Sequence, residues 1–212
     1  MTHAASRRST LQTIAAALAS AAAVWGAASA PAAAQDADPA TFGPAVGDTI
    51  ADVISAPDAT GTVRTFAELT GENGVMLNFN RSVDWCPFCK AQTLEVDAAF
   101  DAFAARGYNV VVLTTDTPET LDRYVRERDP QLTLISDADS TVIEALDLLD
   151  PAFPEGHRHH GMPYPVSLIV SSEGIVEAKI FLEDIFGEDR AFRERVTVAD
   201  VVAAIDDLPT DE

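Results

Sequence analysis

Val75-Met76-Leu77-Asn78-Phe79-Asn80-Arg81-Ser82-Val83-Asp84-Trp85-Cys86-Pro87-Phe88-Cys89-Lys90 decides how this chain is read. It opens on a short β-prone run and closes on both cysteines of the chain, set three positions apart. Ala91, Leu94, Ala98 and Phe103 then recur at helical spacing until Gly107 supplies a stop. A thiol at such a strand-to-helix turn sees the unpaired N–H groups of the first helical turn and the positive end of the helix dipole, both of which favour thiolate over thiol. Cys86 is therefore the expected nucleophile. Cys89, one turn along the same helix, is placed to attack a mixed disulfide formed at Cys86 and release the partner. The pair is expected at the rim of the molecule, open to outside reagents.

Two other uses of paired cysteines compete with this one. A purely structural bridge closing so short a loop removes little entropy from the unfolded chain and makes a poor staple. A metal site needs further ligands, and with no third cysteine these fall to His157, His159 and His160 in a distant loop; the chain is then a non-enzymatic copper or zinc carrier. A redox dithiol requires no metal and no cofactor.

The N-terminus predicts where the chemistry takes place. Arg7-Arg8 precede an alanine-rich stretch without charge from Leu11 to Ala30, and Ala28-Ser29-Ala30 and Ala32-Ala33-Ala34 offer small-residue cleavage sites. Residues 1–34 read as an export signal, with a twin-arginine pattern in Ser6-Arg7-Arg8-Ser9-Thr10-Leu11-Gln12 that has Thr10 where a bulky apolar residue is usual. The expected location is periplasmic or extracellular, with no stable membrane span once the signal is cleaved, since the stretch is rich in Ala and poor in Leu.

Of the 212 residues, 178 then remain, enough for one domain with a respectable core. Removing Arg7 and Arg8 leaves 12 basic against 34 acidic residues, a formal charge of −22. Nucleic acid is excluded as a partner, because phosphate neutralisation needs clustered cations, and Arg123, Arg126 and Arg128 are interleaved with Asp122, Glu127 and Asp129.

The remaining pattern is that of an α/β domain. A linker is expected over 35–46, the domain over 47–208 and an acidic tail over 209–212. Ile50 to Ile54 and Val63 to Phe66 read as a hairpin about Ala59-Thr60-Gly61-Thr62. Tyr108 to Thr114 has the β-branched run of a central parallel strand, and Thr117-Pro118 opens a helix as N-cap and first helical residue. A short strand follows at Leu132 to Ser136, a helix at Thr141 to Leu149 and an irregular loop at Ala152 to Tyr164. Pro165 to Val170 and Ile175 to Phe181 flank Ser171-Ser172-Glu173-Gly174 as a second hairpin, and Thr197 caps a last helix through Leu208. This order calls for a central mixed sheet with helices on both faces and a hairpin extension at its N-terminal side.

An apolar strand, Trp-Cys-x-x-Cys at a helix start and a proline opening the later hairpin together resemble the thioredoxin fold. More narrowly, Arg81 to Gln92, the Ile135 to Asp139 turn and the Pro165 to Phe181 hairpin resemble the peroxiredoxin-like branch, that of alkyl hydroperoxide reductase and thiol-specific antioxidant, over roughly Val46 to Leu208. The resemblance implies a thiol-disulfide oxidoreductase or thiol-dependent peroxidase whose partners are protein or low-molecular-weight thiols and disulfides, and peroxide. It also implies that Pro165, preceded by Tyr164, has a cis peptide bond and faces the dithiol, with Pro163 as the competing candidate. From the residues alone, Pro165 is a proline at the first position of a strand, where its missing N–H costs nothing.

Typical peroxiredoxins place a threonine or serine three residues before the peroxidatic cysteine and a proline further back, but this chain holds Val83 and Phe79 there counting from Cys86. Counting from Cys89, the same positions hold Cys86 and Ser82. Pro87-Phe88 between the cysteines look like those of glutaredoxins. Trp85, with Phe79, is a candidate wall of a substrate groove. The charge of Arg81 favours a Cys86 thiolate and that of Asp84 opposes it.

Overall fold

The computed structural model describes residues 41–182 and 194–209. The expected export signal, the first half of the expected linker and the last three residues of the tail lie outside them. The elements run β1 Ser55–Pro57, β2 Val63–Thr65, α1 Phe66–Leu69, β3 Gly74–Phe79, α2 Pro87–Ala98, α3 Phe100–Ala104 and β4 Tyr108–Thr114. They continue with α4 Pro118–Arg128, β5 Thr133–Ser136, α5 Thr141–Ala145, β6 Val166–Ser171, β7 Val176–Ile180 and α6 Val198–Asp206.

Five strands form one sheet in the order β5-β4-β3-β6-β7. β3, β4 and β5 are mutually parallel, while β6 and β7 are added antiparallel on the other side of β3. This is a thioredoxin-like mixed sheet with helices on both faces, and β1–β2 is the expected extra hairpin.

Alternation along the central strands creates the two cores. Val75, Leu77 and Phe79 of β3 face one layer with Ile54, Phe66, Ile143 and Leu168. Met76 faces the other, where Val96 of α2, Phe103 of α3, Leu121 of α4 and Ile205 of α6 cover Val110 and Val112. Burial on both sides explains why β3, β4 and β6 read as nearly continuous apolar runs. Local signals behave as their chemistry requires. The Thr117 side chain accepts from Thr120 N–H with Pro118 behind it, Thr197 and Asp200 form a capping box, and Gly174 takes φ +86° to turn β6 into β7.

Four expectations are corrected. Ile50 to Ile54 is a turn, with Val53 N–H on Ile50 O and Ile54 N–H on Ala51 O; the hairpin strand is the shorter Ser55–Pro57, opposite Val63–Thr65. Phe66 belongs to α1, because Thr65 and Glu68 cap each other across the first turn. The helical run after Cys86 breaks at Ala99 into α2 and α3, and the helix from Thr141 stops at Ala145.

Phe42 and Pro44, placed in the linker, are buried. Phe42 lies edge-on to Tyr164 at 4.6 Å between ring centres, and its carbonyl accepts from Lys179 Nζ. The packed domain therefore begins before residue 47. Phe42→Ala is expected to cost about 3 kcal/mol, the usual scale for emptying a buried phenylalanine site, read as a lower urea midpoint at unchanged m-value. A Phe42 in a free linker would cost nothing.

Candidate active site

The C-terminal end of β3 delivers the chain to the site. Asn80 N–H extends the β3–β4 ladder by donating to Leu113 O, and Thr115 returns two bonds, N–H and Oγ1, to Arg81 O. The next turn is organised by two buried side chains. Asp116, just past β4, accepts Ser82 Oγ–H at 2.6 Å through one oxygen, and Val83 N–H at 2.7 Å and Thr114 Oγ1–H at 3.1 Å through the other. Ser82 Oγ in turn accepts the N–H groups of Asp84 and Trp85. With this loop pinned, Cys86 becomes the N-cap of α2 and Pro87 its first helical residue.

Cys86 and Cys89 are joined by a disulfide, their Cα atoms 5.3 Å apart. The Cys86 sulfur also accepts Cys89 N–H at 3.2 Å, the bond expected of an N-cap side chain and the one that favours negative charge on that sulfur.

The expectation of an open pair is overturned: Cys86 retains 4% of its surface and Cys89 none. The reason is helical geometry. Cys89 shares the inward stripe of α2 with Gln92, Thr93 and Val96, and the bond to Cys89 draws the Cys86 sulfur in after it. The 4% still distinguishes the two, since any reagent reaches Cys86 before Cys89.

The other expected site residues divide. Trp85 stands half-exposed beside Cys86, its ring stacked on His159 at 5.6 Å. Arg81 forms a buried ion pair with Asp150 at 3.1 Å and lies 5.5 Å over the Phe153 ring, while Asp84 pairs with Arg123 at 3.0 Å on the surface. The two opposing charges near Cys86 are thus each met by a partner of their own. Phe79 is fully buried core rather than a groove wall, and Tyr164 is buried against Phe42 with its N–H on Leu148 O.

Pro165 precedes β6, whose Val166 pairs with Phe79, so it stands at the sheet end from which the cysteine loop departs. Its peptide bond is trans, as is that of Pro163, which corrects the cis expectation. Both prolines lie in an extended path held by Tyr164 N–H on Leu148 O and the Leu149–Pro163 bridge, a course that trans prolines follow readily.

The histidines do not close a metal site. Among the described residues no three His, Cys, Asp or Glu side chains gather at ligating distance. His157 stacks on Phe153 at 4.9 Å, His159 packs on Trp85, and His160 Nδ1 meets Phe153 O at 2.9 Å. Burial, and then the charges of Arg158, His157 and Arg81, lower the pKa of His159, which disfavours a charged ring beside Trp85.

One residue that sequence reasoning missed approaches the sulfurs directly. Arg195, 106 positions beyond Cys89 and just before α6, points Nη2 at the Cys89 sulfur from 3.6 Å. Burial, and then the charge of Arg81, push its pKa down to about 10, so it remains a cation at neutral pH.

A family model described as "AhpC/TSA family" matches residues 46–179, from the turn before the N-terminal hairpin through most of β7. The chain belongs to the AhpC/TSA family. It is an enzyme of thiol redox chemistry. Peroxiredoxin Bcp of Escherichia coli is 24% identical to this AhpC/TSA chain over 128 residues, covering 60% of the chain and 80% of the relative. Peroxidoxin BcpB from Mycobacterium tuberculosis superposes with a TM-score of 0.60 at 20% identity, covering 80% of this chain and 99% of that one. Thiol peroxidase from Chromobacterium violaceum gives 0.61 at 16% identity, covering 78% and 89%.

Ser82→Ala removes the acceptor for two loop amides and one bond to Asp116. Leaving the buried Asp116 oxygen and the two part-buried amides unmet is expected to cost about 1–3 kcal/mol. Faster amide hydrogen exchange at Asp84 and Trp85, with β4 unchanged, is the expected readout; unchanged exchange at both would show that Ser82 does not hold the loop.

Proposed function

We propose that the chain is an exported thiol-disulfide oxidoreductase that exchanges electrons through Cys86 and Cys89. The observation that carries this reading is the disulfide across the first turn of α2, with the Cys86 sulfur on a helical N–H and its partner sulfur within bonding reach. In the reduced protein the Cys86 thiolate attacks a disulfide RS–SR′, forming Cys86–S–SR and expelling R′S⁻, which takes a proton from solvent. The Cys89 thiolate then attacks the Cys86 sulfur, closes the intramolecular disulfide and releases RS⁻. Run in reverse, the same two steps oxidise a dithiol partner. Arg7-Arg8 and the alanine-rich segment support export, and an oxidising compartment is where a disulfide persists.

Thiol-dependent peroxide reduction is the second reading, favoured by the names of the relatives. Here the Cys86 thiolate takes the terminal oxygen of ROOH, releasing ROH after protonation and leaving a sulfenic acid. Cys89 condenses with it, expelling water and forming the same disulfide. Disulfide exchange is preferred on one observation. The loop amides of Val83, Asp84 and Trp85 are already spent on Asp116 and Ser82, and position 83 brings no hydroxyl to orient a peroxide.

Cys86→Ser is expected to reduce insulin-disulfide turnover to the uncatalysed rate, and Cys89→Ser to accumulate mixed disulfides visible by mass spectrometry. Unchanged insulin reduction and peroxide consumption in both variants would refute the assignment. Protein recovered from outside the cytoplasm is expected to begin near Gln35.

A further inference from the structure

We propose that Arg195 is the counter-ion of the Cys89 thiolate, making Cys89 the leaving sulfur and Cys86 the attacked one whenever the disulfide is opened. This rests on the dithiol-exchange reading and deepens it, since that reading does not by itself say how a buried sulfur can leave as an anion.

The two sulfurs face different problems. Cys86, at the N-cap, has the N–H of Cys89 directed at it and the small remaining exposure that lets a reagent in. Cys89 is wholly enclosed, and removal from water disfavours a thiolate. An incoming thiolate RS⁻ that bonds to the Cys86 sulfur breaks the S–S bond and leaves the electron pair on Cys89. The departing charge has no water to receive it, so the protein must supply the compensation.

Arg195 is placed to do so. Its Nη2 lies 3.6 Å from the Cys89 sulfur while its Nη1 donates to Glu194 O at 2.6 Å. The next residue, Val196, is buried, and Thr197 begins the capping box of α6, so the guanidinium is delivered by anchored backbone on both counts. A guanidinium suits the task because it is weakly hydrated and keeps its proton when enclosed. The other nearby charges do not replace it: Arg81 is paired with Asp150, and Asp84, on the cysteine loop, with Arg123.

The arrangement stabilises the reduced state and raises the reduction potential of the pair. Removing the cation makes the couple more reducing and the Cys89 thiol harder to ionise. The experiment titrates Cys89 in the full mature chain carrying Cys86→Ser, by thiolate absorbance near 240 nm, with Arg195, Arg195→Lys or Arg195→Gln. The same three Arg195 states are equilibrated, with both cysteines present, in glutathione buffers.

Arg195→Gln is expected to lower the thiolate population of Cys89 at least tenfold at a given pH. It should also shift the redox equilibrium tenfold toward the disulfide, about 30 mV for a two-electron couple. Arg195→Lys should recover most of both effects, which a packing role would not produce. Unchanged titration and equilibrium in Arg195→Gln, or equal losses in the Lys and Gln variants, would overturn the proposal. Should Arg195→Gln fail to fold, the Arg195 protein decides alone: a Cys89 that ionises no more readily than a free cysteine, about 8.5, also overturns it. These readouts need no turnover, so they remain decisive even where the catalytic assignment itself fails.

Discussion

One N–H group, that of Cys89, directed at the sulfur of Cys86, is the contact on which the rest of this molecule's chemistry depends. It makes the first cysteine a helix cap and the second a residue of the first turn, which brings the sulfurs together while giving them unequal surroundings. Everything beneath the contact serves to hold that turn at the end of the sheet. β3 is flanked by β4 and β6, its neighbours in the centre of five strands, and the loop leaving it is fastened by Asp116 and Ser82 before the helix begins. A buried carboxylate is costly unless its lone pairs are met, and Asp116 meets them with a hydroxyl, an amide and a second hydroxyl. The dithiol therefore sits on a scaffold that is stiff where the chain turns.

The surface charge and the site are arranged on different principles. The chain carries 34 acidic residues against 14 basic, yet Arg81, Lys90 and Arg195 lie on or beside the cysteine loop and helix. Acidic excess over the exterior favours solubility, whereas Arg195 brings a cation against a buried sulfur. Of the three, Arg81 is tied to Asp150 beneath the Phe153 ring, in a loop whose aromatic and imidazole rings pack on one another and on Trp85. That packing engages His157 and His160 with Phe153 and His159 with Trp85 instead of gathering them as ligands.

The sheet and most helices were legible because their signals are local. Tyr108 to Thr114 is a strand end to end, Thr117-Pro118 starts its helix, and Ser171 to Gly174 makes its hairpin turn, each from chemistry contained in a few neighbouring residues. Ile50 to Ile54 misled because apolar alternation in so short a run does not separate a strand from a turn that buries the same side chains. The Thr65–Glu68 capping box was readable in principle, as a threonine three residues before a glutamate, and would have placed α1. Phe42, Asp116, Asp150 and Arg195 were not readable. Each acquires its role from a partner at least 34 positions away in the chain, and one sequence without its contacts holds no trace of such pairings. The enclosure of the sulfurs escaped for the same reason, since it follows from which face of α2 meets the sheet.

What unites these features is a claim about one acid. If the N-terminal turn of α2 stabilises negative charge at its cap, Cys86 in a chain carrying Cys89→Ser must ionise well below the ordinary cysteine value of about 8.5. Titration of that single thiol by ultraviolet absorbance, cross-checked by the pH dependence of its alkylation rate, reads the quantity directly. A midpoint below about 7.5, within the range of cysteines at helix N-termini, is the predicted result; a midpoint at or above about 8.5 would contradict the account.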